Sequence, residues 1–348
     1  MVTAQECSTV PVKCLVMGLQ SVEKSWLKAL AQAQRDGIIE IIGAHHVDVE
    51  HARELGLALD VPFFDDERRM LLGISPQMLV LDRPANTRLD FLEASLRQGI
   101  GILSLGPPVA NIEEARRLAK ILEPTTHLLH VVPCFCDSWT FGQCIQSEDY
   151  FRAISFLEAH WYAPNHAAAR AGRVPENALM VRSLSVLAWD VLRTILELAG
   201  MPESIYAAID GSTGAKDHFL DATGAAAVTM RFADGGVASL AIGDRATAAE
   251  RNILLYSRAG RVRMLDGQYQ FADIHGAPVD ADSIPPPSAE QLARQAIEDF
   301  VRHLNASDSP YRGRRHRLLE TAAMMVALFV SNRTGQAESP RAMINIHR

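Results

Sequence analysis

"VKCLVMGLQSVEKSWLKALAQAQRDGIIEIIGAHH", residues 12–46, decides the fold. It opens on a short apolar run, Val12–Met17, which reads as a buried parallel strand. Val22, Trp26, Leu30 and Ala33 then recur on one helical face. A second apolar run, Ile38–Ala44, follows. Strand, helix, strand is a crossover unit, and crossover units build parallel sheets.

The pattern continues outward from there. Met78–Leu81 and Ile100–Leu105 read as further buried strands. Asn111–Leu122 reads as a helix, with Asn111 able to cap the backbone and Glu114 three residues on. This order predicts a doubly wound parallel sheet, a Rossmann-like domain over residues 11–124. From residue 125 the texture changes. Strand-like runs at His127–Pro133 and Ala153–Tyr162 flank the stretch "CFCDSWTFGQC", and a long amphipathic helix is expected over Met180–Ala199. Strand candidates follow at Tyr206–Asp210, Ala226–Phe232, Val237–Ile242, Ile253–Ser257 and Arg261–Leu265, with "ADGG" as a hairpin turn. Helices at Ala289–Asn305 and Arg315–Ser331 close the chain. Residues 125–348 therefore read as a second, α+β domain with a mostly antiparallel open sheet.

Composition bounds the function. At 348 residues, two domains are the default. The net charge of -7 lacks the basic footprint of a nucleic-acid binder. No apolar run is long enough to span a bilayer, and the N-terminus shows no secretory signal pattern. Five cysteines in a chain of this length fit reduced thiols, so a cytoplasmic protein is expected.

Several phrases, in this order, resemble the Gfo/Idh/MocA family of glucose–fructose oxidoreductase and inositol dehydrogenase relatives. They are "VPFFDDERRMLLGISPQMLVLDRP", with Pro84 beside the cofactor, "LEASLRQGIGILSLGPPVANIEEARRL", "SLSVLAWDVLRTILELAGMP", "VTMRFADGGVASL" and "VSNRTGQ". The resemblance covers residues 11–340 and implies an NAD(P)-dependent oxidoreductase acting on a sugar or small hydroxy compound. It also implies pairing through the open face of the second-domain sheet.

Residue by residue, the family's chemistry is replaced. The glycine-rich phosphate pattern falls on Gly18, Gln20 and Glu23. Gly18 keeps the tight turn, but Gln20 puts a side chain where phosphates meet bare backbone. With Ser21 as helix cap, Glu23 stands in the first turn and satisfies the helix's positive end itself. Two like charges about 4 Å apart repel by about 4 kcal/mol at an effective dielectric of about 20, worth up to about a thousandfold in affinity, with Lys24 able to offset part of it and Glu23 able to point away. His46 takes the place of the ribose-binding acid, and Asp48 is expected to cap the next helix. The family's Glu-Lys-Pro segment reads Leu105, Gly106, Pro107, Pro108, without a lysine. In the substrate-domain helix, aligning on Asp190 puts Ser183 and Leu187 where active members carry Asp and the acid/base His. A further family histidine falls on Arg88.

Two other clusters are candidates. "HWYAPNH" offers His160, Trp161, Tyr162, Asn165 and His166 as a substrate surface, with only one of the two adjacent aromatic rings able to face the ligand. Cys134, Cys136 and Cys144 match no closed tetrahedral metal pattern and read as buried free thiols rather than a zinc or iron site. No metal is expected. The expected function is a non-catalytic ligand-binding, scaffold or partner subunit, forming a homodimer or a hetero-oligomer with an active paralogue and taking a small polar or sugar-like ligand, with no dinucleotide bound. The alternative is an NAD(P)-dependent enzyme with relocated acid/base residues such as His160, His166 or Tyr162.

Overall fold

The computed structural model describes residues 10–19, 24–46, 48–66, 75–82, 89–122, 128–132, 134–165, 183–213, 218–220, 222–306 and 316–345. The chain divides into two compact units. One comprises Met1–Leu105, Pro124–His130 and Glu290–Arg312; the other comprises Gly106–Glu123, Val131–Ala289 and Gly313–Arg348.

The first unit is built on β1 (Val12–Met17), β2 (Ile39–His45), β3 (Phe63–Phe64), β4 (Met78–Leu81), β5 (Gly101–Ser104) and β6 (Leu129–Val131). They form one sheet in the order β3-β2-β1-β4-β5-β6. The pairs β3/β2, β2/β1, β1/β4 and β4/β5 are parallel. The order turns between β1 and β4, and at such a switch point open α/β sheets hold ligands. Both strands are fully apolar over their shared length and buried on both faces, as helix-covered parallel strands must be. The helix Lys24–Arg35 buries Trp26, Ala29, Leu30 and Ala33, the stripe expected from the sequence; Val22 lies outside the described residues.

A helix distant in sequence completes this unit. A Cβ on Gly101 would lie 2.7 Å from Leu304 Cδ1 and 3.1 Å from Phe300 Cζ. Glycine at this position of β5 therefore lets the helix Ala289–Asn305 approach the sheet closely. Arg294 on that helix pairs with Asp36 at 2.5 Å.

The second unit carries β7 (Ile154–Pro164), β8 (Ser204–Ser212), β9 (Thr223–Arg231), β10 (Val237–Gly243), β11 (Arg245–Ser257), β12 (Gly260–Leu265), β13 (Gln268–Ala272) and β14 (Pro278–Ser283). The order is β14-β13-β12-β11-β7-β10-β9-β8. Only β7/β10 is parallel; every other neighbour pair is antiparallel. The expected hairpin between β9 and β10 is present, with Gly235 at φ 89° in its turn. The helix Leu184–Ala199 packs on β7, β9 and β10, and the helix His316–Thr334 packs on β8. These helices cover the face to which Leu157, Ala159 and Trp161 point, while Phe156, Glu158, His160 and Tyr162 alternate to the other face.

Two phrases quoted above have physical jobs here. In "VSNRTGQ", Ser331 Oγ accepts from Ala207 N at 3.0 Å and Asn332 Oδ1 accepts from Ile209 N at 2.7 Å. Those two side chains satisfy the free edge of β8, which would otherwise invite another strand. In "VANIEEARRL", Asn111 Oδ1 accepts from Glu114 N at 3.0 Å, and Glu114 Oε2 accepts from Ala110 N at 2.7 Å. This is a reciprocal cap on the helix Ile112–Leu122. Arg116 then ties that helix to the carbonyls of Met343 and Ile344, each at 2.7 Å. Among the described residues, no helix is long and apolar enough to cross a membrane.

Candidate functional site

The switch point of the first unit lies beyond the ends of β1 and β4, with the end of β2 on the other side of β1. Gly18 follows β1 at φ 78°, a conformation that favours glycine, and its N–H donates to His45 O at 2.9 Å. The tight turn expected of Gly18 is therefore present. Gln20, Ser21 and Glu23 lie outside the described residues, as do Pro84, Arg88 and His166.

Two buried histidines close β2. His45 Nδ1 lies 2.8 Å from Phe64 O and must donate, since a carbonyl only accepts. His46 Nδ1 instead accepts from Asp48 N at 3.0 Å, which leaves Nε2 to carry the proton of the neutral ring. Burial, then the neighbouring His51, holds His46 below the ordinary histidine range. Its ring stands 4.9 Å from that of His51. Asp48 caps the helix Val49–Leu59 as expected, accepting from Glu50 N at 2.9 Å and His51 N at 3.2 Å. The backbone N–H of His51 is the main reason its carboxyl sits below the usual range. A cap is thus what the acidic residue after β2 supplies here, and His46 has one ring nitrogen already engaged.

In the second unit, Gly106, Pro107 and Pro108 are all buried. A Cβ on Gly106 would lie 3.0 Å from Val186 Cγ2 on the helix Leu184–Ala199. Leu187, one residue further along that helix, is buried. Ser183 precedes the helix but makes no capping bond with its side chain. The fully buried Asp244 supplies the cap instead, its Oδ2 accepting from Leu184 N at 3.1 Å and its Oδ1 from Gly224 N at 3.0 Å. Asn165 Nδ2 lies 3.5 Å from the same carboxylate. Ser185, also buried, donates to Phe219 O and accepts from Ala222 N at 3.1 Å.

No family model matches the chain, and no curated protein matches it. Solved structures do. An inositol dehydrogenase homologue from Azotobacter vinelandii, solved with NADH and myo-inositol, superposes with a TM-score of 0.74 at 15% identity, over 94% of this chain and 97% of that one. A UDP-N-acetylglucosamine 3-dehydrogenase from Acidithiobacillus ferrooxidans gives 0.69 at 18% identity, over 94% and 100%. An oxidoreductase from Agrobacterium radiobacter, solved with NAD+, L-tartaric acid and magnesium, gives 0.70 at 11% identity, over 95% and 99%. The structural neighbours are Gfo/Idh/MocA-type oxidoreductases.

On this fold, the aromatic strand β7 divides into two roles. His160 and Tyr162 stand side by side on the face away from the helices, ring centroids 6.1 Å apart. Trp161 points the other way, and the expectation that it could offer a ring face to a ligand does not hold. It is fully buried, because strand alternation sends it under the helix Leu184–Ala199, and its Nε1 donates to Asp190 Oδ2 at 2.9 Å. Asp190 Oδ1 also accepts from Phe135 N at 2.7 Å, and Oδ2 from Arg251 Nη1 at 3.2 Å. Arg251 reaches on to Asp266 at 2.6 Å and lies 5.2 Å from the centre of the Phe135 ring. Burial raises the Asp190 carboxyl above its usual range despite these donors. Burial pushes the Arg251 guanidinium down, but Asp266 and then Asp190 carry it above its usual value.

Arg251, Asp266 and Asp244 were not legible as functional positions. The available signal is periodicity: Arg251 falls on the inward row with the buried Ile253 and Leu255, so a charge there needs a partner. Asp190, alone in an apolar helix run, is that partner. The cysteines join the same region. Cys136 Sγ lies 3.7 Å from Thr194 Oγ1. Contact with Cys136, then burial, raises the Cys134 thiol. Burial lifts Cys144 to about 12, so it carries no thiolate at neutral pH. All three are free thiols. Among the described residues, no three His, Cys, Asp or Glu side chains gather as a metal site.

Proposed function

We propose that this chain keeps a Gfo/Idh/MocA-type fold but acts by binding, as a ligand-binding, scaffold or partner subunit, and not by hydride transfer. One observation carries the reading. Whichever way the Glu-Lys-Pro segment is set, no lysine stands in it, and at Gly106, one of the positions it falls on, Val186 Cγ2 stands 3.0 Å from where a Cβ would be. That contact is tighter than ordinary packing, so a side chain there requires Val186 to give by a few tenths of an ångström. The position matched to the acid/base histidine is the buried Leu187, which cannot exchange a proton. Leu187 and Gly106 do not fit a hydride-transfer centre. Ser183, which cannot act as a general base at its ordinary pKa, adds to that support.

This reading makes the protein a homodimer or a mixed oligomer with an active paralogue. Its support is a row of apolar side chains on the uncovered face of the second sheet. Val237, Phe156 and Tyr256 are register neighbours there, 37%, 36% and 40% exposed.

A second reading has its own support. Gly18 keeps its positive φ beside the switch point, and two of the three neighbours described above were solved with NADH or NAD+. On that reading the chain is an NAD(P)-dependent oxidoreductase with relocated acid/base groups. Calorimetric titration with NADH and NADPH, joined to a turnover assay, separates the two. Binding without turnover, or no binding, agrees with the first; saturable binding with turnover establishes the second.

A further inference from the structure

The two edges of the second sheet differ. At β8, Ser331 Oγ and Asn332 Oδ1 accept from the main chain, and Ile205 exchanges two bonds of 2.8 Å with Glu338. At the other edge stands β14, paired with β13 on one side and exposed at all six of its residues. An exposed edge strand carries main-chain donors and acceptors without ladder partners, and these can template another strand.

The register shows which groups are on offer. Ile284 N donates to Gly267 O at 2.8 Å, so by antiparallel alternation Asp282 and Asp280 address β13 and the main chain of Ala281 turns outward. The outward N–H of Ser283 is met by Asp282 Oδ1 at 2.7 Å, which leaves Ala281 at the centre of the open ladder. The side chains decide what fits there. Asp280 and Asp282 stand opposite the buried Phe271 and Tyr269, so both carboxylates lie on one face. Tyr269 Oη donates to Asp280 Oδ2 at 3.4 Å, and neither aspartate is in an ion pair among the described residues. Val279, 60% exposed, adds apolar surface beside them. In a symmetric antiparallel pairing with β14 of a second copy, opposed residues share a face. Aspartate would then stand against aspartate, which destabilises the pairing. A strand with Lys or Arg at alternate positions meets the opposite condition, so the same charges exclude one partner and favour another.

We propose that β14 takes up an extended basic segment of a partner protein as a further strand, with ladder bonds to the main chain of Ala281 and alternate Lys or Arg side chains beside Asp280 and Asp282. The surface is the edge of the sheet and not its uncovered face. It stands or falls independently of how copies of the chain pair and of whether the chain binds a dinucleotide.

The test is fluorescence anisotropy of a labelled peptide, Thr-Lys-Val-Lys-Val-Lys-Thr, titrated with the full chain at about 0.15 M salt, where exposed charges are screened beyond about 8 Å. Two control peptides carry Glu in place of Lys, or N-methylated valines that cannot donate to a ladder. The expected result is saturable binding of the lysine peptide, weaker by about tenfold or more in the surface double variant Asp280→Asn/Asp282→Asn and for the N-methylated peptide. The glutamate peptide is expected not to bind. No saturable binding of the lysine peptide overturns the proposal, as does unchanged affinity in the double variant. Equal binding of the N-methylated peptide means charge attraction without an added strand, and overturns it too. Self-association of the full chain that Ala281→Pro abolishes assigns the edge to a second copy, with the same consequence.

Discussion

Trp161 Nε1 donates to Asp190 Oδ2 at 2.9 Å, joining the middle strand of the second sheet to the helix that covers it. The same carboxylate holds Arg251, so one buried cluster of aromatic ring, carboxylate and guanidinium locks β7, β11 and the helix together. Replacing Trp161 by Phe removes one donor from a buried acceptor and is expected to cost about 1–3 kcal/mol. Arg251→Met, which strands the buried Asp190, is expected to cost about 3–5 kcal/mol. Urea unfolding measures both, and losses near zero would mean the cluster contributes nothing to the fold.

Gly106 and Val186 make a more specific prediction, because their contact is a matter of space alone. Gly106→Ala is expected to destabilise by about 1–3 kcal/mol through overpacking. In a Val186→Ala background the same change is expected to recover much of that loss, a coupling of about 0.5–3 kcal/mol in a double-mutant cycle. Strict additivity of the two changes would show that Val186 does not occupy the space.

His46 predicts a pH dependence. Its folded value lies below the ordinary one, so the unfolded chain binds the proton more readily. The stability this contributes is complete above about pH 6.5, the ordinary histidine value, and is lost as the pH falls through the lower folded value. The melting temperature of the native chain should therefore drop on acidification through that window more steeply than that of His46→Asn. That variant keeps an acceptor for Asp48 N without a titrating ring. Parallel curves for the two proteins would rule His46 out.

The phosphate loop yields a prediction from sequence chemistry. Glu23→Gly combined with Gln20→Gly removes a negative charge and a side chain from the helix start and should raise NADH affinity by about tenfold or more. An affinity that stays unchanged in calorimetry would leave the charge argument without force.

Much of the fold was legible because its strands are of two readable kinds. β4 is an unbroken apolar run and β1 is one from Cys14 onward, and their limits, Val12–Met17 and Met78–Leu81, coincide with the sequence reading. β7 to β10 alternate, and alternation fixed which residues face the helices. β13 and β14 went unread, since β14, "PVDADS", is an exposed edge with no buried face to leave a pattern. The site was legible only as substitutions at matched positions. The reasons those substitutions fit, Val186 against Gly106 and Asp244 at the start of the long helix, arise between residues 80 and 60 positions apart in sequence. No local pattern carries such contacts. Trp161 shows the converse: alternation limited the choice to one of two rings, and only the helix above β7 decided which.

The most direct test is a single-turnover assay with the protein in excess over NAD+ and with myo-inositol, D-glucose and UDP-N-acetylglucosamine each supplied in turn. With no lysine in the segment Leu105–Pro108 and leucine at the position matched to histidine, the account predicts no NADH above the uncatalysed background. Formation of NADH in step with the NAD+ supplied, from any of the three, would contradict it.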